Sequence, residues 1–271
     1  MAEMLGQAYM QNALATGTIV AVLAGLVGFF VVLRGVSFAA HSLAQIGFAG
    51  AAGAVLIGAD PLLGLVVFAL GGGVGMGLLG ARDGDRDVTT ALILVASLGV
   101  GALFLTLNTS YATAAFSLLF GTIVGISRAQ VWETLALAAA CLVALAALYR
   151  PLLLSSVSPD LAAARGVPVH ALNVLFLLVV ALAAAVTVPV AGTLLIFSLM
   201  VGPAAAAIRL ARTPAMALLL AVALGLAATW LGIGLAYATG WPVGFFITAI
   251  VTAFYVATRF TRPRRTIGPA T

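Results

Sequence analysis

The sequence predicts an all-α fold: a polytopic transmembrane helix bundle of about eight or nine spans, with one short helix on the cytoplasmic side. Of its 271 residues, 64% are hydrophobic and 7% are charged, whereas soluble domains carry about 25% charged residues. The mean hydropathy is +1.25. Apolar runs recur from Gly17 to Ala257, and each is close to the ~20 residues that a helix needs to cross the hydrocarbon layer. We therefore expect a membrane-embedded bundle rather than a soluble domain with one anchor.

The chain divides into three segments. Residues 1–16 form a short N-terminal segment, 17–260 the transmembrane domain, and 261–271 a basic tail. Residues 1–16 contain Glu3 but no arginine or lysine. This argues against a cleaved secretory signal, which would begin with a basic region.

The apolar runs and the arginines together predict the topology. All twelve basic residues are arginines. With the C-terminus in the cytoplasm, every arginine except Arg128 falls in a cytoplasmic segment, as the positive-inside bias predicts. The run 170–210 is interrupted only near Pro189 and Gly192, where we expect a tight reversal or a broken helix. The expected crossings are 17–33, 38–57, 61–81, 89–107, 129–149, 170–188, 190–208, 214–237 and 242–258.

Composition also excludes several function classes. Without lysine the chain cannot form a Walker A phosphate loop, so any ATP that powers it must be hydrolysed by another chain. The arginines are scattered between apolar runs, and no basic face indicates a nucleic-acid partner. Cys141 is the single cysteine, which leaves no disulfide framework or cysteine metal site within one chain. Two histidines and seven scattered acids do not form a catalytic constellation, so the chain is not expected to be an enzyme.

Three connecting or glycine-rich segments are interpreted as structural elements rather than as ligand sites. The charged loop 82–87, RDGDRD, lacks the closing glutamate of a calcium loop and is expected to be solvated. Residues 116–127 are too short to span and are consistent with a half-helix. The run 71–77, GGGVGMG, has the glycine spacing of close helix packing.

Polar side chains follow one face of the second crossing. Ser37, His41 and Gln45 are four positions apart and so share a face of a helix, while alanines and glycines keep the rest of that helix slim. An ionisable residue in a membrane-spanning helix usually faces a bundle interior or a wet cavity. We therefore interpret His41 as a candidate site on a transport route. The alternative is that His41 bonds a neighbouring helix and serves only in packing.

The segment 155–169, SSVSPDLAAARGVPV, predicts a short helix with a defined start and end. Ser158 is expected to cap its N-terminus, with Pro159 in the first turn. Asp160 and Arg165 complement the helix dipole, and Gly166 is expected in the left-handed conformation. So short a helix must dock on something. It is either a turn that rests on the chain's own helices or, around Ala163, a contact for a partner.

Three further ionisable residues are expected in a turn or at a membrane interface rather than in a site. Asp60 precedes Pro61 and fits a turn. Glu133 follows Trp132 and is expected to anchor the outer interface. His170 is expected to lie at the cytoplasmic interface.

Five motifs together resemble the membrane permease subunits of bacterial ABC importers for zinc, manganese or ferrous iron. They are RGVSFAAHSLAQIGFAG at 34–50, LLFGTIVGIS at 118–127, SPDLAAARGVPV at 158–169, VAGTLLIFSLMVGPAAAA at 190–207 and GWPVGFFITAI at 240–250. The resemblance covers nearly the whole chain. It implies an inner-membrane homodimer embedded in lipid, with cytoplasmic ABC ATPase subunits and a periplasmic or lipid-anchored metal-binding protein as partners. It also implies that the 158–166 helix, within the loop 150–169, is the coupling helix that contacts the ATPase.

The resemblance carries departures at the expected metal positions. Members of the family usually have an aspartate and then a histidine four residues later, and these positions align with His41 and Gln45. An aspartate after the LFG motif is replaced by Thr122. No cofactor is expected to be bound permanently, and the metal is cargo. A transient site of His41, Ser37 and Gln45 suits Zn²⁺ first and Mn²⁺ second, because imidazole is its strongest ligand.

The alternatives that stay open are an ABC permease for a cargo that is not a metal, a secondary transporter or channel that needs no ATPase, and a structural membrane scaffold.

Overall fold

The computed structural model describes residues 6–80, 86–107 and 125–260. Every regular element in these residues is an α-helix, which confirms the predicted all-α membrane bundle. The helices are α1 (Ala8–Leu33), α2 (Ser37–Leu56), α3 (Pro61–Leu79), α4 (Arg86–Thr106), α5 (Arg128–Val157), α6 (Pro159–Ala164), α7 (Val169–Leu210), α8 (Pro214–Thr239) and α9 (Val243–Arg259).

Helices α1 and α7 form the centre of the bundle. Phe29 and Phe30 on α1 are fully buried, and Phe176 on α7 is 1% exposed and meets Phe30 edge to face. Helices α2, α3, α5, α8 and α9 pack around this pair. Leucine and valine side chains of α4 remain exposed, as expected of a face that meets lipid or another chain.

Helix α7 is broken at Gly192, where φ is 80° and ψ is 157°. Such angles are essentially restricted to glycine. Contacts with α1 show that the two halves run in opposite directions. Before the break, Phe176 meets Phe30 and Asn173 bonds Arg34, so the first half runs antiparallel to α1. After the break, Met200 lies beside Gly28, and Ala204 and Ala207 pack with Val32, so the second half runs parallel to α1.

The expected interruption near Pro189 and Gly192 is therefore a reversal at Gly192 between two helical segments, with almost no loop between them. Seven helical segments of the described residues are long and apolar enough to cross a membrane, including Val169–Thr193. Two shorter apolar helices, Leu195–Leu210 and Val243–Arg259, occupy the positions of the remaining expected crossings.

Two helices are longer than the sequence indicated. Helix α1 begins at Ala8 rather than near Gly17, because Met10, Ala13 and Thr16 are buried against the bundle. Helix α5 continues through Pro151 to Val157, so the first part of the expected loop 150–169 belongs to this helix. Leu152, Ser155 and Ser156 are buried there, and their packing stabilises the helix beyond the proline.

Part of the sequence interpretation lies outside the described residues. This applies to most of the charged loop 82–87, to Thr122 and most of the half-helix at 116–127, and to the basic tail.

Candidate functional site: the His41 face and the short helix

Ser37, His41 and Gln45 lie on the least buried face of α2, which we call the His41 face. All three side chains are half-buried, whereas the rest of the helix between Ala40 and Ala52 is buried against its neighbours. Helices α3, α4 and α7 cover those other faces. The sequence-predicted stripe thus forms one continuous surface that the chain's own helices leave partly open.

His41 packs against an aromatic ring that sequence reasoning missed. Its ring centroid lies 4.9 Å from that of Phe197, with the planes at 67°. The Nδ1 atom of His41 is buried and has no hydrogen-bond partner among the described residues. Phe197 follows the break at Gly192 by five positions, so the reversal in α7 delivers this ring to His41.

One chain supplies few metal ligands near His41. No group of three or more His, Cys, Asp or Glu side chains in the described ranges could hold a metal ion. The face offers one imidazole nitrogen, one hydroxyl and one amide, which is a neutral donor set. Such a set fits a divalent ion only weakly unless a further chain contributes ligands.

The short helix α6 forms almost where the sequence placed it, and its end is well defined. Gly166 has φ of +77°, as expected. Its N–H donates to the Ala163 carbonyl at 2.9 Å, and the Val167 N–H donates to the Ala162 carbonyl at 3.0 Å. This pair of bonds is a Schellman motif, which satisfies the last carbonyls of a helix. Pro168 then precedes α7.

The start of α6 corrects one expectation. Ser158 occupies the N-cap position and Pro159 the first helical position, but the Ser158 side chain makes no capping hydrogen bond. Ser158 also closes α5, which continues to Val157, because the Ser158 N–H donates to the Leu154 carbonyl at 2.9 Å. One residue therefore ends α5 and begins α6.

Helix α6 is attached to the bundle by one face and exposes the other. Ala162 is fully buried. Pro159, Asp160, Ala163 and Arg165 are exposed, and Leu161 is an apolar side chain with 44% exposure. The helix therefore rests on its own chain, as the first interpretation expected, and it also presents an exposed surface.

Arg34 forms a polar centre behind α6 that the sequence did not predict. Its Nη1 donates to the Ser155 hydroxyl at 2.8 Å, to the Ser156 hydroxyl at 3.1 Å and to the Leu152 carbonyl at 3.4 Å. Its Nη2 donates to the amide oxygen of Asn173. The guanidinium carbon also lies 5.5 Å from the centre of the Phe176 ring, a cation–π distance.

Arg34 borders a cavity of about 510 Å³ at the α6 end of the bundle. Burial, and after it the positive charge of Arg86, lowers the pKa of Arg34. An arginine nonetheless stays protonated in proteins. The cavity is also lined by Arg86, Asp87 and the exposed His170.

A second cavity, of about 310 Å³, lies at the opposite end and is lined by Asp60, Gln130 and Glu133, among others. Asp60 caps α3, because its Oδ1 accepts from the Leu62 N–H at 2.7 Å, which agrees with the expected turn. Gln130 and Ser127 form a capping box at the start of α5. The polar groups here serve helix starts, and Glu133 is exposed.

The family is decided by the match of the whole bundle. The model of the ABC 3 transport family matches residues 6–262. The chain belongs to this family. Members are membrane components of ABC transporters, so the predicted class of membrane permease is confirmed.

Two relatives of this ABC-3 chain align with it, one over most of its length and one over about two thirds. The manganese import system permease protein ScaB of Streptococcus parasanguinis is 29% identical over 258 residues, 95% of this chain and 92% of that protein. The manganese transport system membrane protein MntC of Halalkalibacterium halodurans is 27% identical over 181 residues, 66% of this chain but only 62% of that protein.

A solved structure shares the fold of this ABC-3 chain. PsaBC from Streptococcus pneumoniae, in complex with Fab, superposes with a TM-score of 0.86 at 26% sequence identity. The match covers 97% of this chain and 96% of that one.

Proposed function

We propose that this chain is the permease subunit of an ATP-driven importer that moves a divalent transition-metal ion across the bacterial cytoplasmic membrane. His41, with Ser37 and Gln45, is the transient metal site in this proposal. The observation that carries it is the buried Nδ1 of His41, which has no hydrogen-bond partner in the described chain. Buried polar atoms of native proteins are nearly always paired, so this nitrogen is a candidate ligand for a passing ion.

The open side of the His41 face supports a pathway shared by two copies of the chain. A second copy would bring its own His41 and Gln45 to the same place, which doubles the number of donors. Without carboxylate or thiolate the ion would be held weakly. Weak holding suits transport, because the ion must leave as readily as it enters.

Mn²⁺ and Zn²⁺ are the two candidate cargoes. Imidazole suits zinc better than it suits harder cations. The names of ScaB and MntC, in contrast, favour manganese. Uptake of radiolabelled Mn²⁺ in competition with unlabelled Zn²⁺, and the reverse, assigns the cargo.

The His41 hypothesis is tested by uptake in cells that express the chain with its ATPase and binding protein. Changing His41→Ala should abolish metal uptake while the complex still assembles. His170→Ala is the matched control, because it removes the other histidine from an exposed position. Normal uptake by His41→Ala would leave His41 as a packing residue.

The exposed surface of α6 supports its role as the contact for a separate cytoplasmic ATPase, with the C-terminus on the same side. Ser158, Pro159, Asp160, Ala163, Arg165 and Gly166 are the proposed coupling residues. Leu161 adds an exposed apolar side chain to that surface. A periplasmic or lipid-anchored protein would deliver metal at the opposite end.

A proline inside α6 tests this coupling role. Ala163→Pro should break the helix, since an interior proline costs about 3 kcal/mol, and ATP hydrolysis should continue without metal transport. Ala163→Ser keeps a small helical residue and should behave like wild type. Full coupling in Ala163→Pro would refute the docking role of α6. Transport by the purified chain without ATP would favour a secondary transporter instead.

A further inference from the structure

We propose that Arg34 is a positioning residue that ties α6 to the helix carrying His41, so that a displacement of α6 by the ATPase is transmitted to the metal site. The inference rests on the proposed function. We call the hydrogen bonds of Arg34 to Leu152, Ser155, Ser156 and Asn173 the arginine tie.

The arginine tie holds the chain on both sides of α6. Ser155 and Ser156 lie at the end of α5, a few positions before Pro159. Asn173 lies in the first turn and a half of α7, after α6 has ended at Ala164. Because Ala162 is the only residue of α6 that is buried, the position of α6 depends on these flanking segments, and one guanidinium bonds both of them.

Arg34 is also connected to His41 without a flexible segment. The Arg34 N–H donates to the Phe30 carbonyl at 2.9 Å, so it ends α1, and the Val36 N–H donates to the Val31 carbonyl at 3.0 Å. The Val36 carbonyl then accepts the Ala40 N–H at 3.0 Å, which begins α2. His41 is the fifth residue of α2, about 6 Å along the helix from its first residue, Ser37. A shift of the guanidinium would therefore move the start of α2.

The chemistry of the tie requires arginine. A guanidinium presents five donors in a rigid planar fork, whereas an ammonium is a point donor on a flexible stem. Here Nη1 bonds the end of α5 while Nη2 bonds the start of α7. Lysine would keep the positive charge but could not fix both segments at once. The substitution Arg34→Lys thus separates the geometry of the tie from its charge.

The test uses the whole transporter, with ATPase, reconstituted in vesicles and supplied with radiolabelled Mn²⁺ and Zn²⁺. Arg34→Lys should assemble and hydrolyse ATP, but the metal moved per ATP should fall about tenfold, within the range known for mutations that alter coupling. Arg86→Lys is the matched control, because Arg86 lines the same cavity. An unchanged ratio in Arg34→Lys, or an equal fall in Arg86→Lys, would overturn the proposal.

Two further variants test the tie with Arg34 in place. Asn173→Ala removes the α7 side, and the double change Ser155→Ala with Ser156→Ala removes the hydroxyls on the α5 side. Each of these variants should lower the metal moved per ATP, by a smaller factor than Arg34→Lys does. If Arg34→Lys does not assemble, a wild-type ratio of metal to ATP in both the Asn173 variant and the double serine variant would overturn the proposal. The ratio reports coupling, whereas a merely structural role would lower only the amount of assembled complex.

The outcome for Ala163→Pro distinguishes this inference from the proposed function. If Ala163→Pro stays coupled, the role of α6 itself is refuted. If it uncouples while the Arg34 and Asn173 variants transport normally, only the arginine tie is refuted.

Discussion

Gly28 lies at a close approach of α1 to the second half of α7, and its replacement by alanine should destabilise the bundle. An added Cβ would lie 1.9 Å from the carbonyl oxygen of Met200 and 2.8 Å from its carbonyl carbon. Both of these atoms belong to the backbone, so a rotamer change cannot relieve the clash. The two helices would have to separate by more than about 1 Å to restore van der Waals contact.

The expected loss of unfolding free energy for Gly28→Ala follows from two opposing effects. Overpacking in a core costs about 1–3 kcal/mol, and a backbone clash this short belongs at the upper end. Alanine gains up to about 1 kcal/mol over glycine in helix propensity. The net loss for Gly28→Ala is therefore about 2 kcal/mol, or roughly a thirtyfold change in the unfolding equilibrium.

Unfolding of the purified chain in detergent, followed by tryptophan fluorescence, measures this loss. Gly71→Ala is the matched control, since Gly71 is helical and has no heavy atom within 4 Å of the added Cβ. Gly71→Ala should be neutral or slightly stabilising. Equal stabilities of the two variants would refute the reasoning from the α1–α7 contact.

Three further effects are expected. Gly192→Ala should cost about 1–3 kcal/mol in the same unfolding assay, because φ is 80° there; wild-type stability would contradict the strained backbone. Gly166→Ala, at φ +77°, should cost about 1–2 kcal/mol and loosen α6, measured as faster proteolysis at 158–168. Cys141 is fully buried, so a water-soluble maleimide should label it only after unfolding; rapid labelling of the folded chain would contradict that burial.

The positions of the helices could be predicted because each depends mainly on the residues of its own segment. The length of each apolar run located the membrane-spanning helices, and the local sequence of residues 158–168 located α6 with its left-handed Gly166. Ser158 does occupy the N-cap position of α6, but its side chain makes no capping hydrogen bond. The sequence did not show that the same residue also ends α5, which burial of Ser155 and Ser156 extends to Val157. Pro189 and Gly192 marked the break in α7, but only packing against other helices, above all α1, defines the direction of the chain after it.

The candidate site was predictable only in part. The spacing of Ser37, His41 and Gln45 sufficed to place them on one face. Phe197 could not be found, because the ring reaches His41 only through the reversal in α7. Arg34 was interpreted as a topology signal, since its partners lie 118 to 139 positions away. Partners so distant leave no local pattern in a sequence.

The crossing of α2 and α3 limits how His41 can move. An added Cβ at Gly50 would lie 2.1 Å from the Gly64 oxygen, and one at Gly101 of α4 would lie 2.8 Å from the Ala49 side chain. Backbones in such contact cannot slide past one another. Helices α2, α3 and α4 are thus interlocked, and a stroke that carries His41 inward or outward must move this whole three-helix block together.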